Sequence, residues 1–241
     1  MTVVVLQLAG SLQAWGSESR FNHRKTLDHP TKSGVIGLVA AALGRSREEP
    51  IDDLATLRFG TRVDQPGPLL TDFQTELDWD MKAQSADIKK ASKPLTRRDY
   101  LCDAVFLAAL EGQEGEISKI AGALQKPRYP LFLGRRSCPP SKKVFLGVEE
   151  GPLEQVLNEY RWIASEAYID SLNESVRLHY YRDALPGEKY DELIRDAPRS
   201  FRENGRAHDL RGVVHGFTEP RNAGNTSTPN HDPMLLLRGE A

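Results

Sequence analysis

Cysteine is scarce in this chain of 241 residues: Cys102 and Cys138 are its only two, and neither belongs to a Cys-x-x-Cys or Cys/His spacing. A zinc centre is therefore unsupported, and both are read as inert thiols. Long apolar runs are missing too. The longest, "VIGLVAAAL", falls far short of the roughly 18 to 20 residues that a membrane span needs, so no membrane crossing is expected. The opening "MTVVVLQLAGSLQAWG" has no basic n-region and no small-residue cleavage pattern, which argues against a signal peptide and for a buried first strand in a cytoplasmic protein. The six histidines include no His-x-x-x-His pair. The dipeptides His208-Asp209 and His231-Asp232 lack the further ligands of a metal phosphohydrolase. No metal or other cofactor is expected.

Acidic residues are absent from one stretch where they matter most. Between Lys126 and Lys143 there are six cationic side chains (Lys126, Arg128, Arg135, Arg136, Lys142, Lys143) and no Asp or Glu, in a chain whose formal net charge is -2. Four prolines in the same stretch (Pro127, Pro130, Pro139, Pro140) rule out a continuous helix and bias the backbone toward extended or turn geometry. The charges therefore sit on a shaped loop, for which an anion is the natural partner. A second basic cluster runs from Arg20 to Arg45, with five Lys/Arg (Arg20, Arg24, Lys25, Lys32, Arg45) against the single acid Asp28. A near-neutral chain is not coated by nucleic acid, but a local patch suffices for specific binding.

With 39% apolar and 27% charged residues, the chain reads as globular and is long enough for one large domain or two small ones. Val3 to Leu8 predicts a strand buried on both faces. "TKSGVIGLVAAALG" predicts a deeply packed helix, capped by Thr31 or Ser33 and closed by Gly44. "LRFGTRV" (57–63) and "YLCDAVFLAAL" (100–110) each predict one strand. Ile117, Ile120, Ala121 and Leu124 mark an amphipathic helix, and "VFLGV" (144–148) a last short strand. The order β-α-β-β-α-β is that of a ferredoxin-like unit in residues 1–150, with both helices on one face of an antiparallel sheet and the other face free for a partner. The segment from Pro66 to Arg98, with strand formers Phe73, Leu77 and Trp79, is too long for a simple hairpin and reads as a functional insertion. A smaller C-terminal α/β extension covers 151–218, with a helical stripe in "PLEQVLNEYRWIA" and strands in "SVRLHYYR" and "LRGVVHGF". Residues 219–241 read as a flexible tail.

The start of the first helix presents free backbone N–H groups and a positive dipole end, with Gly34 and Lys32 beside it. "TKSG" is thus either a simple capped helix start or a phosphate seat. It is not a nucleotide P-loop, because Thr31 stands where the second glycine belongs. No aromatic RNP signature lies on "YLCDAVFLAAL", so any RNA is held by loops rather than stacked on the sheet. Trp15 and Tyr129 flank the basic loops, as packing residues or as stacking platforms. For catalysis, His23 or His29 could move protons at a 2′-hydroxyl with Lys25 steadying the phosphate.

Four blocks, "LAGSLQAWG", "HPTKSGVIGLVAAALG", "RRDYLCDAVF" and "KPRYPLFLGRRSCPP", resemble in this order the corresponding segments of the CasD family, the fifth-family RAMP subunits of type I-E CRISPR Cascade complexes. The resemblance covers the first 150 residues. It implies a ferredoxin-like (RRM/RAMP-type) α+β fold with a thumb-like β-hairpin insertion at about residues 70–99. It also implies a non-catalytic subunit that caps the complex at the crRNA 5′ handle. Implied partners are the backbone subunit CasC and the large subunit CasA, with target DNA near the PAM end touched only indirectly. Relatives in type I-C systems cleave, which leaves a metal-independent endoribonuclease acting on repeat RNA as the alternative. On this reading Lys126, Arg128, Arg135 and Arg136 meet phosphates, and Tyr129 a base. Backbone N–H groups near Ser137 and Cys138 meet base edges, while Gln13, Arg20, Arg24, Lys32 and Ser33, with Trp15 flanking, close the other side.

Overall fold

The computed structural model describes residues 1–16, 22–77, 95–172 and 176–220. In chain order the strands are β1 (Thr2–Ala9), the two-residue strands β2 (Leu12–Gln13), β3 (Trp15–Gly16), β4 (His23–Arg24) and β5 (Thr26–Leu27), then β6 (Arg58–Gln65), β7 (Leu69–Gln74), β8 (Thr96–Cys102), β9 (Val105–Gly112), β10 (Phe145–Glu150), β11 (Leu178–Asp183), β12 (Glu192–Ser200) and β13 (Ala207–Thr218). The helices are α1 (Lys32–Leu43), α2 (Asp52–Ala55), α3 (Glu114–Gln125), α4 (Leu153–Glu159) and α5 (Glu166–Asp170).

The first helix follows its sequence signals closely. The Thr31 side chain accepts from the Gly34 N–H, and Gly44 closes α1 in the left-handed region at φ 79°, where a Cβ would be strained. Period-two alternation does the same for β1. Val4, Leu6 and Leu8 enter one apolar cluster, with α1 and α3, and Val3, Val5 and Ala9 enter another on the opposite face.

Seven strands form one antiparallel sheet in the order β10-β1-β9-β6-β11-β13-β12. The protein is thus a mixed α/β molecule built on antiparallel sheets. Sequence reading left the face opposite α1 and α3 open; it is covered. Leu153, Val156 and Leu157 of α4, with Ile163, pack onto Val3, Val5, Leu107 and Ala109. Arg62, only 1% exposed, holds this cover in place. Its guanidinium donates to both carboxylate oxygens of Asp64 and to the carbonyls of Leu157, Tyr160 and Arg161.

The run "YLCDAVFLAAL" is two strands rather than one. It breaks at Asp103, the one non-glycine residue with positive φ among those described (52°), a conformation that Asp tolerates better than most residues. β9 joins the main sheet, whereas β8 belongs to a second sheet with β2, β4 and β7. There β7 and β8 pair antiparallel from Leu69 opposite Leu101 to Gln74 opposite Thr96. Residues 78–94 of the expected insertion, Trp79 among them, lie outside the described residues, as do residues 221–241 of the expected tail.

Candidate nucleic-acid interface

Proline and glycine give the loop after α3 its shape. Gly134 takes φ 81°, and a Cβ there would sit 1.8 Å from the Ala14 carbonyl oxygen, so the loop can approach the 10–15 segment only as glycine. The Ala14 N–H donates to the Leu133 carbonyl, Leu133 N–H to Cys138 O, and Cys138 N–H to Arg135 O. Further along, the Ser141 N–H and hydroxyl both donate to Ala9 O.

Arg135 then ties the two basic segments together. One guanidinium nitrogen donates to the Asp99 carbonyl at 2.9 Å, the other to the carbonyls of Arg24 at 2.8 Å and Lys25 at 3.4 Å. The group also lies 4.7 Å from the centroid of the Tyr100 ring. Segments more than 100 residues apart in the chain therefore converge. The convergence leaves the side chains of Arg24, Lys25, Lys126, Arg128, Arg136, Lys142 and Lys143 exposed.

Several residues expected to touch a ligand are committed inside the protein. Gln13 is fully buried; its amide donates to the carbonyls of Leu8 and Ala104, and its oxygen accepts from the Trp15 indole. Trp15, also fully buried, packs against Gly34, so it is a core residue and not a stacking platform. Lys32 is buried because its ammonium lies 2.8 Å from Asp183 Oδ2, while its backbone N–H donates to Asp196 Oδ2 at 2.7 Å. Arg211 bridges the same two carboxylates. The anion expected at the α1 N-terminus is thus supplied by the chain itself, through Asp196, and the phosphate-seat reading falls. Cys138 is buried, its N–H is occupied by Arg135 O, and burial pushes its thiol pKa up; it offers a base edge nothing. Ser137 is exposed and Ser33 half-buried. Arg20 lies outside the described residues.

The histidines divide. His29 is buried and stacked on Tyr181 with ring centroids 3.9 Å apart, out of reach of any substrate. His23 is partly exposed, with Nε2 2.8 Å from Asp99 Oδ2. Burial pushes the Asp99 carboxyl up, but hydrogen bonds from His23 and Thr71 and the nearby Arg135 charge hold it below the usual aspartate range.

Sequence reading missed one wall of the site. A cleft of about 730 Å³ runs along α1 past Ser33, Gly34 and Gly37, between Tyr129 and Arg136 of the basic loop and the turn joining β12 to β13. That turn contributes Phe201, Arg202, Glu203 and Arg206. Its signal was present in Asn204-Gly205, a pair typical of hairpin turns, but Pro198 and the charges of β12 masked the strand.

The family described as CRISPR-associated protein (Cas_Cas5) matches residues 3–213. The Cascade subunit CasD of Escherichia coli (strain K12) is 33% identical over 214 residues, covering 82% of this chain and 91% of its own. A chain from a crystal structure described as a Cas protein superimposes with a TM-score of 0.66 at 36% identity, over 89% of this chain and 94% of that one. One from a CRISPR RNA-guided surveillance complex does so with a TM-score of 0.75 at 32% identity, over 90% of each.

Proposed function

The chain belongs to the CRISPR-associated Cas5 family, and from that premise we propose that it is a non-catalytic crRNA-binding subunit of a Cascade surveillance complex, gripping and capping the crRNA 5′ handle. Its neighbours on this reading are the backbone subunit CasC and the large subunit CasA, with target DNA engaged only indirectly and the whole assembly cytoplasmic. The observation that carries the reading is the Arg135 bridge. It brings two cationic segments side by side while leaving Arg24, Lys25, Lys126, Arg128 and Arg136 without an ion-pair partner among the described residues. Unpaired cations on loops, beside an exposed Tyr129, suit a bent single strand whose phosphates and bases both need partners.

The chain order β1, α1, β6, β9, α3, β10 and the sheet order β10-β1-β9-β6 support a ferredoxin-like RAMP unit in residues 1–150. We take residues 151–218 as an extension joined to it through the β6–β11 pairing, and the β7–β8 pair as the base of a thumb over about 70–99. Co-expression with the neighbouring genes, followed by sizing and RNA extraction, tests the function: repeat-derived RNA co-purifies if it is right, and a complex free of RNA overturns it.

A second reading is favoured by His23 and Asp99, whose 2.8 Å contact is the arrangement of a general base with its orienting carboxylate. Incubation with repeat RNA in EDTA decides it. A discrete cut that His23→Ala abolishes establishes a metal-independent endoribonuclease, and intact RNA dismisses it.

A further inference from the structure

Asp99 is an unusual residue for the middle of a strand. Aspartate is depleted in strands, and this one is only 6% exposed. Three of its oxygens are nevertheless engaged, each by a different segment. Oδ1 accepts from the Thr71 hydroxyl on β7 at 2.8 Å, Oδ2 lies 2.8 Å from His23 Nε2 on β4, and the carbonyl accepts from Arg135 of the basic loop at 2.9 Å. A general-base role for His23 accounts for the second contact alone.

The pair β7–β8 has little else to hold it at a fixed angle. Among the described residues β7 has β8 as its one neighbour, and its Leu69, Leu70 and Phe73 are 63%, 45% and 56% exposed, so no apolar packing anchors it. A two-stranded pair standing alone is marginal. Beside it, β4 meets β8 at two positions, His23 with Arg97 and Arg24 with Arg98. Polar bonds therefore set how these pieces stand to one another. They run in series: Thr71 to Asp99, Asp99 to His23, and from the carbonyls of the adjoining Arg24 and Lys25 to Arg135.

We infer that Asp99 is a positioning residue for RNA binding. Its carboxylate fixes β7 against residues 23–25, and through Arg135 against the basic loop, so that the three surfaces meet one strand at a set angle while Asp99 itself touches no RNA. The inference rests on the RNA-binding reading above and adds to it a joint between the β7–β8 pair and the loops.

The test is a double-mutant cycle on affinity, read by fluorescence anisotropy of fluorescein-labelled repeat RNA with the full chain. Asp99→Ala is expected to weaken binding roughly tenfold, and Thr71→Val, which removes the hydroxyl from an exposed position, about threefold. Thr71→Ser, which keeps the hydroxyl, binds as the unmodified chain does. In the Asp99→Ala background Thr71→Val has no further effect, because the bond it would break is already gone. A purely structural role would lower stability without this non-additive loss of affinity in folded protein. Should Asp99→Ala fail to fold, the same cycle between Thr71→Val and His23→Ala decides, since the two side chains grip opposite oxygens of one carboxylate. Unchanged affinity in Asp99→Ala and Thr71→Val overturns the joint and leaves the RNA reading standing, whereas no RNA binding by the unmodified chain overturns both. Equal losses from Thr71→Val in both backgrounds mean that Thr71 contacts the RNA directly, against the inference.

Discussion

Replacing Arg135 removes a guanidinium that donates to the carbonyls of Asp99, Arg24 and Lys25, whereas Arg136 is exposed and makes no ion pair among the described residues. The two adjacent arginines should therefore separate experimentally. Arg135→Glu is expected to cost about 1.5–3 kcal/mol in chemical denaturation, because hydrogen bonds from a charged group to three backbone carbonyls are lost. Arg136→Ala should leave stability within about 0.5 kcal/mol and flatten the salt dependence of RNA binding by about 0.7 in log-log slope. Equal effects on stability would remove the distinction. Gly134→Ala should be worse than either for the fold, since the left-handed backbone alone costs about 1–2 kcal/mol before the clash with Ala14 O.

Among the elements, α1 shows where local signals suffice and where they stop. Its cap at Thr31 and its end at Gly44 need only neighbours in sequence, and both were legible. The fate of its first N–H and of Lys32 depends on Asp196 and Asp183, the latter 151 residues away, which no local pattern encodes. Asp196→Asn would leave Lys32 N–H with a poorer acceptor and Arg211 without its closest carboxylate. Breaking a buried ion network in this way costs about 3–5 kcal/mol, to be read as a lowered urea midpoint at unchanged slope. Strand β9 was legible as an apolar run, but its separation from β8 was not, because it depends on a single turn at Asp103. β12 escaped notice because its apolar residues are few and Pro198 argues against a strand, and a proline is tolerated there because β12 is an edge.

At the scale of the whole molecule, a formal charge of -2 coexists with two cationic loops, so the proposed RNA binding would depend on local field rather than net charge. If some six phosphates are neutralised, log affinity should fall against log salt with a slope of about -4; a slope near zero would mean that these loops do not hold the RNA. The C-terminal segment has its own pH signature. Glu188, hydrogen-bonded to Arg182 and to the Leu185 N–H, has its pKa lowered from 4.5 to about 2. A lowered folded-state pKa adds stability that is complete above about pH 4.5 and is lost as pH falls toward 2. Glu188→Gln should therefore shallow the acid limb of a pH–stability profile in that window and leave it unchanged in shape above pH 5.

The sequence by itself determined the core order β1, α1, β6, β9, α3, β10 within the first 150 residues and the position of the proline-shaped basic loop. These depend on periodicity, composition and turn chemistry, which act over a few residues. Only the tertiary structure decided which cations are free. Lys32 and Arg135 are bound by acceptors contributed from distant strands, Trp15 and Gln13 are taken into the core, and Arg206 comes to the cleft from the far end of the sheet. A charge becomes available to a ligand only when the fold has placed no carboxylate or carbonyl against it, and that placement is a property of long-range packing.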